Sequence, residues 1–168
     1  MAHIIQLGVQ TYFSPDDDTQ GVFLDFLRQA QHEIRIAIYA WHLPPAVEIL
    51  AAKVRAGVDV ALVMDHSQAT GHYEAPEVTQ LVQAGCRVAI GTSQKHAILH
   101  HKFAVVDRLH VLAGSWNMSG AASREANYLQ VVTNQDLASL FLAKWQELDT
   151  WIRRHEPQWQ PSGPAPPG

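Results

Sequence analysis

Short runs rich in Val and Ile alternate along the chain with segments whose apolar residues recur at helical spacing, and no other feature restricts the fold as much. A chain that keeps switching between a period of two and a period of 3.6 builds layers of helix on sheet. The order therefore predicts an α/β architecture: one domain with a mixed, mostly parallel β-sheet flanked by helices on both faces. Val9 to Phe13 reads as the first strand and Ser14-Pro15-Asp16-Asp17-Asp18 as the loop after it. Val22, Phe23, Phe26, Leu27 and Ala30 then mark a helix capped by Asp18 or Thr19. Ile34 to Tyr39 is a second strand, and Pro44-Pro45 opens a helix carrying Val47, Leu50, Ala51 and Val54, which Gly57 ends. Val58 to Met64 is nearly all apolar, as suits a strand covered on both faces. Asp65 and His66 sit just past its carboxyl end, the edge where such folds place ligands. A helix from Glu77 to Ala84, a strand from Arg87 to Ile90 and a last helix from about Leu137 to Arg154 complete the pattern.

The chain has 168 residues, room for one core and not two, so residues 1–155 are expected to form the single domain. The Pro- and Gly-rich stretch 156–168 reads as a flexible tail. With 12 Lys and Arg against 16 Asp and Glu, the formal charge is -4, and the longest basic run is Arg153-Arg154. A strong general electrostatic grip on a polyanion is not predicted. Cys86, the only cysteine, excludes an internal disulfide and reads as a packing residue. Nothing in the pattern predicts a transmembrane segment. Residues 1–7 lack the charge and apolar length of a secretory signal, so the chain as it stands reads as cytoplasmic. A periplasmic or secreted form cut from its signal would read the same.

The segment richest in chemistry begins at His100. From His100 to Val106 the chain reads as a strand, on which His100 and Lys102 share one face, whereas Asp107 falls on the other face or in the following turn. His100 and Lys102 can thus meet one ligand while Asp107 braces the strand end. His110 to Ala113 pairs back as a hairpin and leads into Gly114-Ser115-Trp116-Asn117, where Ser115 and Asn117, two residues apart, face one way if extended. Gly114 allows the backbone close to a ligand. An imidazole, an ammonium, a hydroxyl and an amide together suit a phosphate.

The pattern His100-x-Lys102-x4-Asp107-x6-Gly114-Ser115-x-Asn117 resembles the HKD signature of the phospholipase D superfamily. The likeness extends from Tyr12-Phe13-Ser14-Pro15 through the Val58-to-Asp65 strand to Phe141-Leu142-Ala143-Lys144-Trp145, and it is similar to the single-motif subgroup of Nuc-like endonucleases and Zucchini-type cardiolipin hydrolases. The resemblance implies His100 as nucleophile, a phosphohistidine intermediate, no metal and no cofactor. It assigns Lys102, Asn117 and Ser115 to the site beside His100, with Asp107 as the motif's last member. Because that family builds one site from two motifs, a chain with one copy implies a homodimer whose two-fold axis runs through the site. At the position where the family commonly carries a Glu that receives a hydrogen bond from the catalytic histidine, this chain has Tyr128; Glu125, Asn127 and Gln130 are the polar neighbours.

Several plainer or rival readings stand beside this one. His96, His100 and His101, together with Asp65, His66 and His72, are metal-binding residue types, but the spacing His96-x3-His100 belongs on a helix whereas this segment reads as a strand with its side chains split between faces, so no metal is expected. Asp16-Asp17-Asp18 reads as a solvated loop and helix cap. His66, Trp41 and Trp116 lie next to the expected active edge and are candidates for contact with substrate, packing being the alternative for the two tryptophans. Three functions follow in order: a nuclease acting on DNA or RNA, a phospholipid hydrolase, and a non-catalytic phosphate-binding homologue.

Overall fold

The computed structural model describes residues 8–157; the expected tail beyond Pro157 lies outside the described residues. In chain order, β1 (Val9–Ser14) leads to α1 (Thr19–Arg28), β2 (Glu33–Ile38), a two-residue β3 (Trp41–His42) and α2 (Pro44–Arg55). Then come β4 (Asp59–Asp65), the single turn α3 (His66–Ala69), α4 (Ala75–Gln83) and β5 (Arg87–Gly91). β6 (Lys102–Val106) and β7 (His110–Gly114) are followed by β8 (Met118–Ser119), a 3-10 turn at Ala122–Arg124, β9 (Asn127–Thr133) and α5 (Gln135–His155).

Local chemistry sets the helix limits. Asp18 caps α1 by accepting from Gly21 N at 2.8 Å. Proline at the first turn of α2 costs no hydrogen bond, and Gly57, at φ 89, supplies the left-handed residue beyond its end.

Seven strands form one sheet in the order β1-β9-β7-β6-β2-β4-β5, while β3 and β8 make a separate parallel pair. Parallel pairing within the large sheet is confined to β2, β4 and β5; β6, β7, β9 and β1 continue it antiparallel. The parallel part is a smaller share than the alternating pattern suggests, because the β6–β7 hairpin and its neighbours add strands without crossover helices.

Alternation along the central strands divides the core in two. Ile34, Ile36, Ile38, Leu62, Met64 and Ala104 pack toward Phe23, Leu27 and Leu50 in a cluster that also takes in Val78 and Leu81. Ala37, Ala61, Val63, Phe103 and Val105 face Trp145, Leu148 and Ile152 of α5 on the other side. The small Ala residues on that second face let a long aromatic helix lie close to the sheet. Trp145 Nε1 donates to the carbonyl of Ile36 at 2.8 Å, so burying this indole leaves its own donor satisfied.

Candidate active site

The parallel strands β2, β4 and β5 all end at the same edge of the sheet, and antiparallel β6 begins there, since Lys102 lies opposite Ile38. His100 is exposed in the segment just ahead of β6. Lys102 Nζ donates to the carbonyl of His100 at 2.9 Å. Burial lowers the Lys102 pKa. Both residues line a cleft of about 270 Å³ with His101, Ala113, Gly114, Tyr128, Gln130 and other residues. His101 also turns toward Phe103, with ring centroids 5.6 Å apart; burial, then Lys144, Lys102 and His100, depress its pKa.

A buried carboxylate fixes the approach to His100. Asp65, 1% exposed, accepts from Leu99 N at 2.7 Å and from Ser67 N at 2.9 Å and Ser67 Oγ at 2.6 Å. It therefore both caps α3 and anchors the residue before His100. On the neighbouring strand end, the ring of Tyr39 meets the His100 ring edge-on at 4.7 Å and lies 5.3 Å from Lys102 Nζ. Among the described residues, neither ring nitrogen of His100 has a hydrogen-bond partner.

Gly114 is required where it stands. A Cβ there would lie 2.3 Å from the carbonyl oxygen of Tyr128, across the β7–β9 pairing that carries Ser115 N to Tyr128 O. Beyond Gly114 the chain leaves extended geometry, and Ser115 and Asn117 have different surroundings. The Ser115 hydroxyl donates to Asn127 Oδ1 at 2.9 Å and accepts from Tyr128 N at 3.0 Å, and it lines a separate cleft with Phe13, Pro15 and Asp16. Asn117 Oδ1 accepts from Ala40 N at 3.3 Å, which leaves the amide's N–H donors for a ligand.

Asp107 lies at the far end of β6. Its carboxylate accepts from Gln31 N, His32 N and Glu33 N at 2.8 to 2.9 Å. Burial alone would raise its pKa, but the donors at Glu33, Gln31 and His32 outweigh that and hold it below the usual range. Asp107 and Arg108 have φ of 53 and 57, a reversed turn that suits a hairpin, closed by Leu109 N to Val106 O at 3.1 Å. Asp107 thus braces the turn and, although it is the motif's last member, does not line the cleft.

Trp41 and Trp116 require correction. At 0% and 1% exposed, they pack on Phe23 and present no surface for a substrate to stack on. His66 is exposed at the start of α3 but does not line the His100 cleft. Of the polar neighbours of Tyr128, Gln130 lines that cleft, Asn127 is engaged with Ser115, and Glu125 is exposed after the 3-10 turn. Sequence reasoning missed Tyr39 and Gln68. The position of Tyr39 at the carboxyl end of a parallel strand was the signal for it; Gln68 had none.

The cleft shares His101, Phe103 and Phe141 with a smaller neighbouring apolar groove of about 180 Å³, which Leu140 and Lys144 also line. Among the described residues, two lysines and two histidines line the two clefts and no carboxylate does, though Lys144 pairs with Glu147 at 2.7 Å. Among the described residues, no three His, Cys, Asp or Glu side chains converge as metal ligands.

A family model described as cardiolipin synthase, PLD-like domain, matches residues 23–149. The chain superposes on Nuc from Salmonella typhimurium, described as a phospholipase D family member, with a TM-score of 0.81 and 25% identity, over 92% of this chain and 99% of that one. It is 27% identical over 127 residues to the mitochondrial cardiolipin hydrolase of Chlamydomonas reinhardtii, covering 75% of this chain and 55% of the hydrolase. It is 29% identical over 153 residues to the human 5'-3' exonuclease PLD3, covering 76% of this chain and 30% of the exonuclease. The chain therefore spans about half of the one relative and under a third of the other.

Proposed function

Because the chain belongs to the phospholipase D superfamily of phosphodiesterases, we propose that it is a nuclease that cleaves DNA or RNA without a metal ion, through a phosphohistidine on His100. One observation carries this reading: in a chain of net charge -4, the cleft at His100 is lined by Lys102, whose ammonium has no carboxylate partner among the described residues, while Lys144 in the neighbouring groove is paired with Glu147 at 2.7 Å. A local positive cleft on an acidic protein suits a phosphate backbone, with weak resting affinity and useful attraction at the site. The likeness to PLD3, named as an exonuclease, supports the same substrate class.

An imidazole nitrogen of His100 attacks phosphorus, forming a P–N bond as the P–O bond to the leaving alcohol breaks. That oxygen needs a proton from an acid that titrates near neutrality. In this proposal His100 of the partner subunit, as imidazolium, gives that proton, which makes the homodimer part of the site. Water then attacks the phosphohistidine, the partner's His100 takes its proton back, and the P–N bond breaks. Lys102, with the amide N–H of Asn117, stabilises the charge on the phosphoryl oxygens.

The apolar groove favours a second reading. Leu140, 69% exposed, and Phe141 line it together with Lys144, which pairs with Glu147, an apolar lining that fits an acyl chain. Oligonucleotide cleavage in EDTA, run beside headgroup release from cardiolipin vesicles, tests the two. Cleavage in EDTA that disappears in H100N supports the nuclease. Headgroup release with intact oligonucleotide transfers the proposal to lipid, and silence in both with no phosphate trapped on His100 leaves a phosphate-binding module.

A further inference from the structure

We propose that Tyr39 is the positioning residue for His100 and Lys102, doing by ring packing what a hydrogen-bonding acid would do at the position of Tyr128. The inference rests on His100 as nucleophile. A nucleophilic imidazole must hold one orientation toward phosphorus, and a misplacement of about 1 Å costs on the order of 100-fold in rate. Within one chain, His100 is exposed and its ring nitrogens have no partner among the described residues, so its contact with the Tyr39 ring is what orients it there.

Tyr39 meets both working groups with one ring. Its ring is 4.7 Å from the imidazole at an interplanar angle of 65°, so it restricts rotation of His100. The Lys102 ammonium lies 5.3 Å from the centroid of the same ring while it donates to His100 O, which keeps the cation beside the nucleophile.

The ring is itself fixed at both ends. Tyr39 N donates to His101 O at 2.9 Å, extending the β2–β6 pairing past the last ladder residues. At the other end the phenol oxygen accepts from Gln68 Nε2 at 3.1 Å. Gln68 belongs to α3, capped by Asp65, and Asp65 also accepts from Leu99 N next to His100. The contacts close a circuit: Asp65 holds Leu99 and α3, α3 holds Tyr39, and Tyr39 holds His100.

The test is a set of variants read by kinetics and by histidine order. Tyr39→Leu removes the ring and is expected to lower kcat about 10- to 100-fold with KM within about twofold, the pattern of lost orientation rather than lost binding. Tyr39→Phe keeps the ring but loses the Gln68 bond, so a fall of a few-fold is expected. Gln68→Ala should match it, and the double variant should be no worse than either alone. An undiminished kcat in Tyr39→Leu, or additive losses in the Phe and Ala pair, would overturn the assignment. If Tyr39→Leu fails to fold, the pair still decides. Relaxation of 13C-labelled histidine rings, with His100 assigned by its absence in H100N, gives a readout that needs no substrate. The His100 ring should lose order in Tyr39→Leu while the other histidines keep theirs, and an equally ordered ring would refute the proposal. If the wild type cleaves no phosphodiester, the functional reading fails, and ring order still judges Tyr39.

Discussion

At the scale of residues, chemistry and architecture part company inside one short motif. His100 opens onto the cleft, and His100→Asn, which keeps polar volume without an equivalent nucleophile, should lower phosphodiester turnover by about 1,000-fold or more with an unchanged melting temperature. Full activity in that variant would remove the assignment. Asp107 is the opposite case, a folding residue. Asn tolerates the left-handed backbone at this position, so Asp107→Asn isolates the loss of a carboxylate that accepts three N–H bonds. The expected cost is about 1–2 kcal/mol after allowance for solvent screening, read as a lower urea midpoint, with turnover kept in what remains folded. Because the pKa is depressed in the fold, this stabilisation is present above the unfolded value of about 3.9 and is lost as pH falls through the lower folded value. The gap in midpoint between wild type and Asp107→Asn should therefore be full at neutral pH and narrow under strongly acidic conditions. A gap independent of pH would show that the charge is not what the three donors require.

At the scale of elements, β7 and β9 set how near the motif's second half can come to its first. Gly114→Ala puts a methyl group 2.3 Å from Tyr128 O, a clash with backbone that no rotamer relieves, so a loss of about 1–3 kcal/mol is expected along with reduced turnover. Gly120→Ala is the control, since its Cβ would meet nothing nearer than 3.9 Å; equal melting temperatures for the two variants would contradict the steric account. The same elements show what the sequence makes legible. Long periodic segments such as β2, α2 and β4 could be read because their patterns are local, and each buries a face that the pattern already marks. The β3–β8 pair could not, because two residues carry no period and Trp41 meets Met118 only through the tertiary fold. His100 and Lys102 do line one cleft, but His100 lies ahead of β6 and His101 lines the same cleft, so strand alternation is not what brings them together; the common facing of Ser115 and Asn117 likewise assumed a strand that ends at Gly114. Trp41 and Trp116 looked accessible because proximity in sequence to an active edge says nothing of depth, and only packing on Phe23 reveals it. Tyr39, just past the end of β2, meets Gln68 of α3 only through the tertiary fold, and no periodicity encodes such a meeting.

At the scale of the whole molecule, one chain supplies one His100, while the proposed chemistry needs a nucleophile and an acid of similar pKa. If the acid is the partner's His100, a dimer with one wild-type and one H100N subunit lacks one of the two roles, and only wild-type pairs turn over. Adding an equal amount of H100N to a fixed amount of wild type, with time for exchange, should then lower activity to about half, as random pairing leaves about a quarter of all dimers fully wild-type. Activity per chain should also fall on dilution through the dimer dissociation range, checked by sedimentation at the same concentrations. The paired histidines make a second demand. One must be neutral and the other charged, so the pH profile should be bell-shaped, with limbs that belong to the pair. A monomeric mechanism predicts the contrary on each count: added H100N leaves the rate unchanged, dilution leaves the specific activity constant, and the acid has to be found within the chain. His101 would then be the nearest candidate, being a neighbour in the same cleft. Its depressed pKa means that a smaller fraction of it carries the proton at neutral pH, which favours an acid from the second subunit.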